Sequence, residues 1–217
     1  MTTKVSAEVL ADLAAAARIL AAQGVVDGFG HVSLRHPSDP NRYLMARSIA
    51  PALVTPDDTI QYDLDSNPLD AGDRKTFLER FIHGEIYKAR PDVMSVVHSH
   101  SPSVIPFGLV GVPMQAIFHI AAFLAGGVPV FDIKEKFGAT NLLVSDPAKG
   151  VELARVMGKN EGAIKTLQYR AVRTLARLLP EQLRRRQRRL RFRLRAHQLL
   201  YPRQQLLHAL ARVLRVE

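Results

Sequence analysis

"DVMSVVHSHSP", residues 92–102, sets two histidines one residue apart at the end of a run of β-branched apolar residues. Val93, Val96 and Val97 favour a buried strand, and Pro91 and Pro102 bound the segment. Side chains alternate faces along a strand, so His98 and His100 project the same way, with Ser99 opposite. Two imidazoles side by side can bind one divalent cation, since nitrogen ligands suit zinc, iron or manganese. A hydrogen-bonded histidine pair at a strand end has the same spacing, so the H-x-H pattern alone leaves both readings open.

Immediately upstream, "RKTFLERFIHGEIYKARPD" (residues 74–92) has Phe77, Phe81, Ile82 and Ile86 at helical period and stops before Pro91. Glu79 and His83 lie four apart, hence on one helix face. Because this helix leads into the H-x-H strand, a carboxylate on it can approach a metal held by His98 and His100, as ligand or as acid–base. A solvent-facing pair satisfies the spacing equally well.

The remaining elements follow from punctuation and period. "MTTKVSAEVLADLAAAARILAAQG" predicts an amphipathic helix with Ser6 as N-cap and Gly24 as its stop, and not a signal peptide. Strands are expected near Val32–Arg35, in "NRYLMARSI", in "TIQYDL", in "VPVFDI" and in "NLLVS". "MQAIFHIAAFLAGG" reads as strand or helix, and "DPAKGVELARVMGK" as a helix capped by Asp146 with Pro147 at its first position. Strands interleaved with helices point to α/β layers around a mixed or antiparallel sheet.

Composition narrows the class. The chain has 217 residues, 47% hydrophobic and 23% charged, as a soluble globular protein has. With no cysteine, disulfides, thiolate metal sites and cysteine nucleophiles are excluded. No apolar run approaches the ~20 residues of a membrane span. A cytoplasmic enzyme or binding protein is expected. The net charge of +10 is unevenly placed: from residue 160 on there are 15 Lys and Arg against 3 Glu, while the preceding residues are nearly neutral. No specific nucleic-acid partner is therefore expected of the body, residues 1–159. The Arg/Leu-rich tail, 160–217, has no Gly, Ser, Asp or Asn after Gly162. It reads either as a basic amphipathic helix or as GC-rich DNA translated out of frame.

"E-R-F-I-H" followed by "IYKARPDVMSVVHSHSP" resembles the signature of the class II aldolase/adducin family, and the resemblance spans roughly residues 5–159. It implies a three-layer αβα domain, Glu79 as catalytic acid–base, and His98 and His100 as metal ligands. The implied metal is zinc or manganese, with cobalt, iron and magnesium as further candidates. "GFGHVSLR" resembles the family's Gly-Asn-x-Ser substrate loop, here Gly30, His31 and Ser33, with histidine replacing asparagine. "RYLMARSIAP" stands where an aldolase has a phosphate-binding Thr-Gly turn. Together these are similar to the subgroup that decarboxylates hydroxylated aromatic or pyridine dicarboxylates. Arg47 offers a planar fork for a substrate carboxylate, or else a surface ion pair. Ser48, His31 and Ser33 can hydrogen-bond substrate, His31 being equally readable as a structural loop residue. The substrate set also includes His83, which shares a helix face with Glu79. His119 sits where some aldolases present a proton-donating tyrosine from a neighbouring subunit, and a core or interface role fits it as well.

The resemblance implies a homo-oligomer, a tetramer, acting on a small carboxylate. The rival activities are a sugar-phosphate aldolase or epimerase and a non-catalytic adducin-like binding protein. One departure stands out. The family's third metal histidine, in an Arg-Gly-His-Gly turn, would fall near residues 160–170, and this chain has no histidine between His119 and His197. That gap favours the out-of-frame reading of the tail and an incomplete site.

Overall fold

The computed structural model describes residues 4–158. The tail and its histidines, His197 and His208, lie outside the described residues.

Helix α1 (Ala7–Ala22) begins where expected, with Ser6 Oγ accepting from the Val9 amide, and Gly24 follows its end at φ +67°. Four strands form one antiparallel sheet: β1 (His31–Arg35), β2 (Arg42–Ala46), β3 (Thr59–Asp63) and β4 (Ser95–His98), in the order β3-β2-β1-β4. Alternation divides the sheet's two faces. Val32, Leu44 and Ala46 pack with Leu13, Ala14 and Ala17 of α1. Tyr43, Met45, Ile60, Tyr62 and Val96 pack with Ile82, Ile86 and Tyr87 of α2 (Arg80–Ala89) and Ala154 of α5 (Pro147–Gly158). The result is the expected three-layer αβα arrangement, with a purely antiparallel sheet among the described residues.

Helix α5 starts as read from the sequence: Asp146 Oδ1 accepts from the Lys149 amide, and Pro147 is its first residue. Helix α2 is shorter than its apolar period predicts and begins one residue after Glu79. Between β4 and α5 lie two single-turn helices, α3 (Ile105–Leu109) and α4 (Ile133–Phe137), and a 3₁₀ segment, His119–Leu124, which answers the strand-or-helix ambiguity there.

Two predicted strands do not form. In "VPVFDI", Pro129 removes a ladder donor. In "NLLVS", Thr140 Oγ1 and Asn141 Oδ1 accept from the Leu142 and Leu143 amides, and Leu142 adopts φ +64°. Local side-chain bonds of this kind compete with a sheet ladder.

Candidate metal centre

The register of β1 against β4 builds the site. His31 pairs with His98 and Ser33 with Val96, so both strands direct their polar residues to the α2 side of the sheet. His100 lies just past the end of β4, yet its Nε2 comes within 2.9 Å of His98 Nε2. The two imidazoles converge, although the strand expected to carry both ends at His98, and His100 stands outside it. Glu79, at the N-terminal edge of α2, brings Oε2 to 3.3 Å from His98 Nε2. Its other oxygen accepts from the Val144 amide at 3.2 Å, so the irregular "NLLVS" segment holds the carboxylate in place. Burial raises the Glu79 pKa, but the His98 hydrogen bond and charge, with the Val144 amide, outweigh this and hold it below the ordinary carboxylate value.

His31 joins the same cluster. It is buried, stacks on His98 with ring centroids 4.8 Å apart, and lies against Phe77 at 4.5 Å. His31, Glu79 and His98 each present a potential ligand atom, all within 4.8 Å of one another. Burial, then the neighbouring His83 and His98, push the His31 pKa down to about 2, so it is neutral. His83, four residues along α2 from Glu79, turns inward and bonds His31 Nδ1 and Ser33 Oγ, each at 2.6 Å. Burial, then His98, lower its pKa to about 3.

The donors fit a divalent cation in chemistry: two imidazole nitrogens and a carboxylate oxygen face one another, the set that zinc or manganese takes. Two supporting residues carry no motif of their own in the sequence. Asp27 accepts from His100 Nδ1 at 3.2 Å, as a carboxylate behind a metal-binding histidine does. Its Oδ1 also accepts from the Phe29 and Gly30 amides, both at 2.9 Å. The signal was the Asp-Gly turn at residues 27–28. Tyr87, one further helical turn from His83, bonds Ser33 Oγ at 2.7 Å.

The other anticipated residues sit differently. Gly30 serves by close approach: a Cβ there would lie 2.7 Å from Val26 Cβ and 3.0 Å from the His98 carbonyl oxygen. Arg47 pairs through Nε with Asp58 Oδ1 at 2.6 Å, the ion-pair alternative of the sequence reading. Ser48 is exposed, and its amide donates to the Lys75 carbonyl at 2.7 Å. His119 is exposed too, its ring edge-on to Phe118 and apart from the histidine cluster.

Comparison with known proteins follows the geometry. Residues 11–167 match the Class II Aldolase and Adducin N-terminal domain. The chain is 34% identical over 148 residues to the decarboxylase TropJ of Talaromyces stipitatus, covering 66% of this chain and 56% of that protein. It is 32% identical over 161 residues to the 3,4-dihydroxyphthalate decarboxylase of Arthrobacter keyseri, covering 67% of this chain and 61% of that one. The chain thus spans 56–61% of the length of these relatives. Among solved structures, an L-fuculose 1-phosphate aldolase from Glaciozyma antarctica shares the fold at TM-score 0.54 and 23% identity, over 71% of this chain and 62% of that one. A stretch of 33 residues has a different relative. It is 88% identical to the ECF RNA polymerase sigma factor BldN of Streptomyces coelicolor, covering 15% of this chain and 12% of that protein. Among the described residues no helix is long and apolar enough to cross a membrane.

Proposed function

The chain belongs to the family of class II aldolase and adducin N-terminal domains, and from that premise we propose that its body is the metal-binding part of a carbon–carbon lyase. The activity proposed is decarboxylation of a hydroxylated aromatic or heteroaromatic dicarboxylate. The observation that carries it is the convergence of His98 Nε2, His100 Nε2 and Glu79 Oε2 at the end of β4. The two decarboxylase relatives support the substrate class.

In this reading His98 and His100 hold a zinc or manganese ion, and Asp27 fixes the ring of His100 through Nδ1. When bound, the ion supplies Lewis acidity for charge developing on substrate oxygens. Glu79, ionised and oriented by the Val144 amide, takes the proton of a substrate hydroxyl and returns it to the ring carbon as the bond to carbon dioxide breaks. His31 and Ser33 form the buried polar wall beside it. Ser48, His119 and the guanidinium of Arg47 complete the proposed substrate contacts, Arg47 in exchange for or alongside Asp58. A cytoplasmic homo-oligomer belongs to the same reading. Leu109 and Ile117 are 80% and 83% exposed, which favours a further copy of the chain covering that segment.

The test is a three-way assay on the body carrying, in place of residues 160–217, a continuation with an Arg-Gly-His-Gly-like turn, with its metal content measured. Carbon dioxide release from 3,4-dihydroxyphthalate supports the proposal. Cleavage of L-fuculose 1-phosphate without carbon dioxide assigns the aldolase reading instead. Protein that stays inert on both substrates with Zn²⁺ or Mn²⁺ supplied assigns a binding role. Glu79→Gln should keep bound metal and lose at least ~100-fold in turnover, the usual range for a general acid–base.

A further inference from the structure

Behind the histidine cluster runs a chain of buried polar groups. The Tyr87 hydroxyl lies 2.7 Å from Ser33 Oγ, Ser33 Oγ 2.6 Å from His83 Nδ1, and His83 Nε2 2.6 Å from His31 Nδ1. All four residues are buried, Ser33 and His83 completely. Counting protons gives this chain a direction. Among the described residues Ser33 Oγ is the acceptor within reach of the Tyr87 hydroxyl, so the Tyr87 proton goes to it. The Ser33 hydroxyl has one proton, which then goes to His83 Nδ1. That nitrogen is bare, so the ring proton of His83 sits on Nε2 and is donated to His31 Nδ1. His31 Nδ1 is bare in turn, and the proton of His31 lies on Nε2. The opposite direction leaves the Tyr87 O–H without an acceptor in the core, a state native interiors avoid.

We propose that Ser33 and His83, with Tyr87 closing the chain, are positioning residues that hold His31 in its Nε2–H tautomer. His31 then meets the site as a hydrogen-bond donor to a substrate oxygen and not as the missing third metal ligand. Its proximity to Glu79 and His98 invites the ligand reading. A neutral imidazole binds a metal only through a bare nitrogen, and the bare nitrogen of His31 is spent on His83. Asparagine, the residue the resemblance expects at this position, also carries an N–H donor in its side chain. The role given to His31 rests on the reading of His98, His100 and Glu79 as the reactive centre; the tautomer itself does not.

The experiment is two-bond ¹H–¹⁵N spectroscopy of the imidazoles in the full chain labelled with ¹⁵N-histidine. His31→Asn and His83→Gln variants assign the signals. In metal-free protein His31 and His83 should both be Nε2–H. On adding Zn²⁺ the His98 and His100 signals should move, while His31 keeps its Nε2 proton. Ser33→Ala removes the link that sets the direction, and His31 should then populate a second, Nδ1–H form. A bare Nε2 on His31 in the unaltered chain overturns the proposal, as does loss of its Nε2 proton to Zn²⁺. An unchanged tautomer in Ser33→Ala removes the positioning role of Ser33. If Zn²⁺ moves neither His98 nor His100 while His31 stays Nε2–H, the tautomer stands and the metal reading fails separately.

Discussion

Asp27 acts on the site through one bond. Its carboxylate accepts from His100 Nδ1, which leaves Nε2 free to face His98 and, in the proposed site, to take the metal. The Phe29 amide comes first among the contacts holding its pKa below the ordinary value, so the residue stays anionic at neutral pH. Asp27→Asn keeps the shape and loses the charge, and metal affinity should fall roughly 10–100-fold, as for other residues that orient a ligand histidine. Titration of the metal-free protein with Zn²⁺ checks this, and an unchanged dissociation constant would show that the pair is a surface contact only. His83 carries a prediction of another kind. Its pKa is about 3 when folded against an ordinary 6.5. It is surrounded by His31 and Ser33 of β1, Tyr43 of β2, His98 of β4, and Tyr87 of its own helix. Between those two pH values the unfolded chain binds a proton that the folded one refuses. Stability is therefore full above the unfolded pKa and declines as pH falls, by up to about 1.4 kcal/mol per pH unit. His31 adds a contribution of the same sign. Urea midpoints at pH 7.5 and 5.5, where most carboxylates stay ionised, should differ in the native chain and differ less in His83→Gln. Equal midpoints in the native chain would rule this out.

Between elements, the junction of β1, α2 and β4 decides whether the histidines meet, and Arg35 fastens it. Its guanidinium donates to the carbonyls of Tyr87 and Arg90 at the end of α2, to Val93 before β4 and to Pro40 before β2. It also stacks 4.7 Å from the Tyr87 ring centroid. A cation at a helix C-terminus offsets orphan carbonyls, and here it does so in the core. Arg35→Gln should cost about 2–4 kcal/mol, since hydrogen bonds to a charged group are lost and buried carbonyls are left unmatched. Denaturant unfolding would measure the loss; a change below ~0.5 kcal/mol would mean that these carbonyls find other partners. Arg35 was quoted in the sequence motif without a role, because a lone arginine at a strand end reads as solvent-facing. The elements flanking the site were legible where local chemistry was strong: Ser6 and Asp146 as caps, the valines of β4, the apolar period of α2. The convergence of His98 and His100 was expected from alternation, but His100 reaches it from beyond the end of β4. What stayed hidden depends on register. Nothing local pairs His31 with His98 or aims His83 at Ser33, since these contacts join residues 50 or more positions apart. The "NLLVS" segment failed as a strand for the converse reason: its own Thr140 and Asn141 side chains turn the backbone before any partner strand can.

At the scale of the whole chain the decisive fact is one of supply. In the proposed site the body offers His98, His100 and the Glu79 carboxylate, and the proposed tautomer of His31 leaves it no nitrogen for a third bond. No histidine follows until His197, in a tail that carries 15 basic residues and 3 acidic ones from residue 160 on. Arg184 to Arg186 and five further arginines up to Arg195 alternate with Leu190, Phe192 and Leu194, a pattern without a clean apolar stripe. The sequence leaves two origins for this tail, a basic amphipathic segment or out-of-frame translation. Either origin leads to the same expectation. With two ligand histidines and no third, the protein should bind Zn²⁺ or Mn²⁺ weakly and release little or no carbon dioxide from a dihydroxyphthalate. Replacing residues 160–217 by a continuation with an Arg-Gly-His-Gly-like turn should raise both metal occupancy and turnover. The two should rise together, because the third ligand serves both. Metal analysis and carbon dioxide release on the two proteins, purified in parallel, decide it. If the 217-residue chain already carries a full metal complement and turns over substrate, the tail supplies the ligand, and His197→Ala and His208→Ala identify which histidine does so.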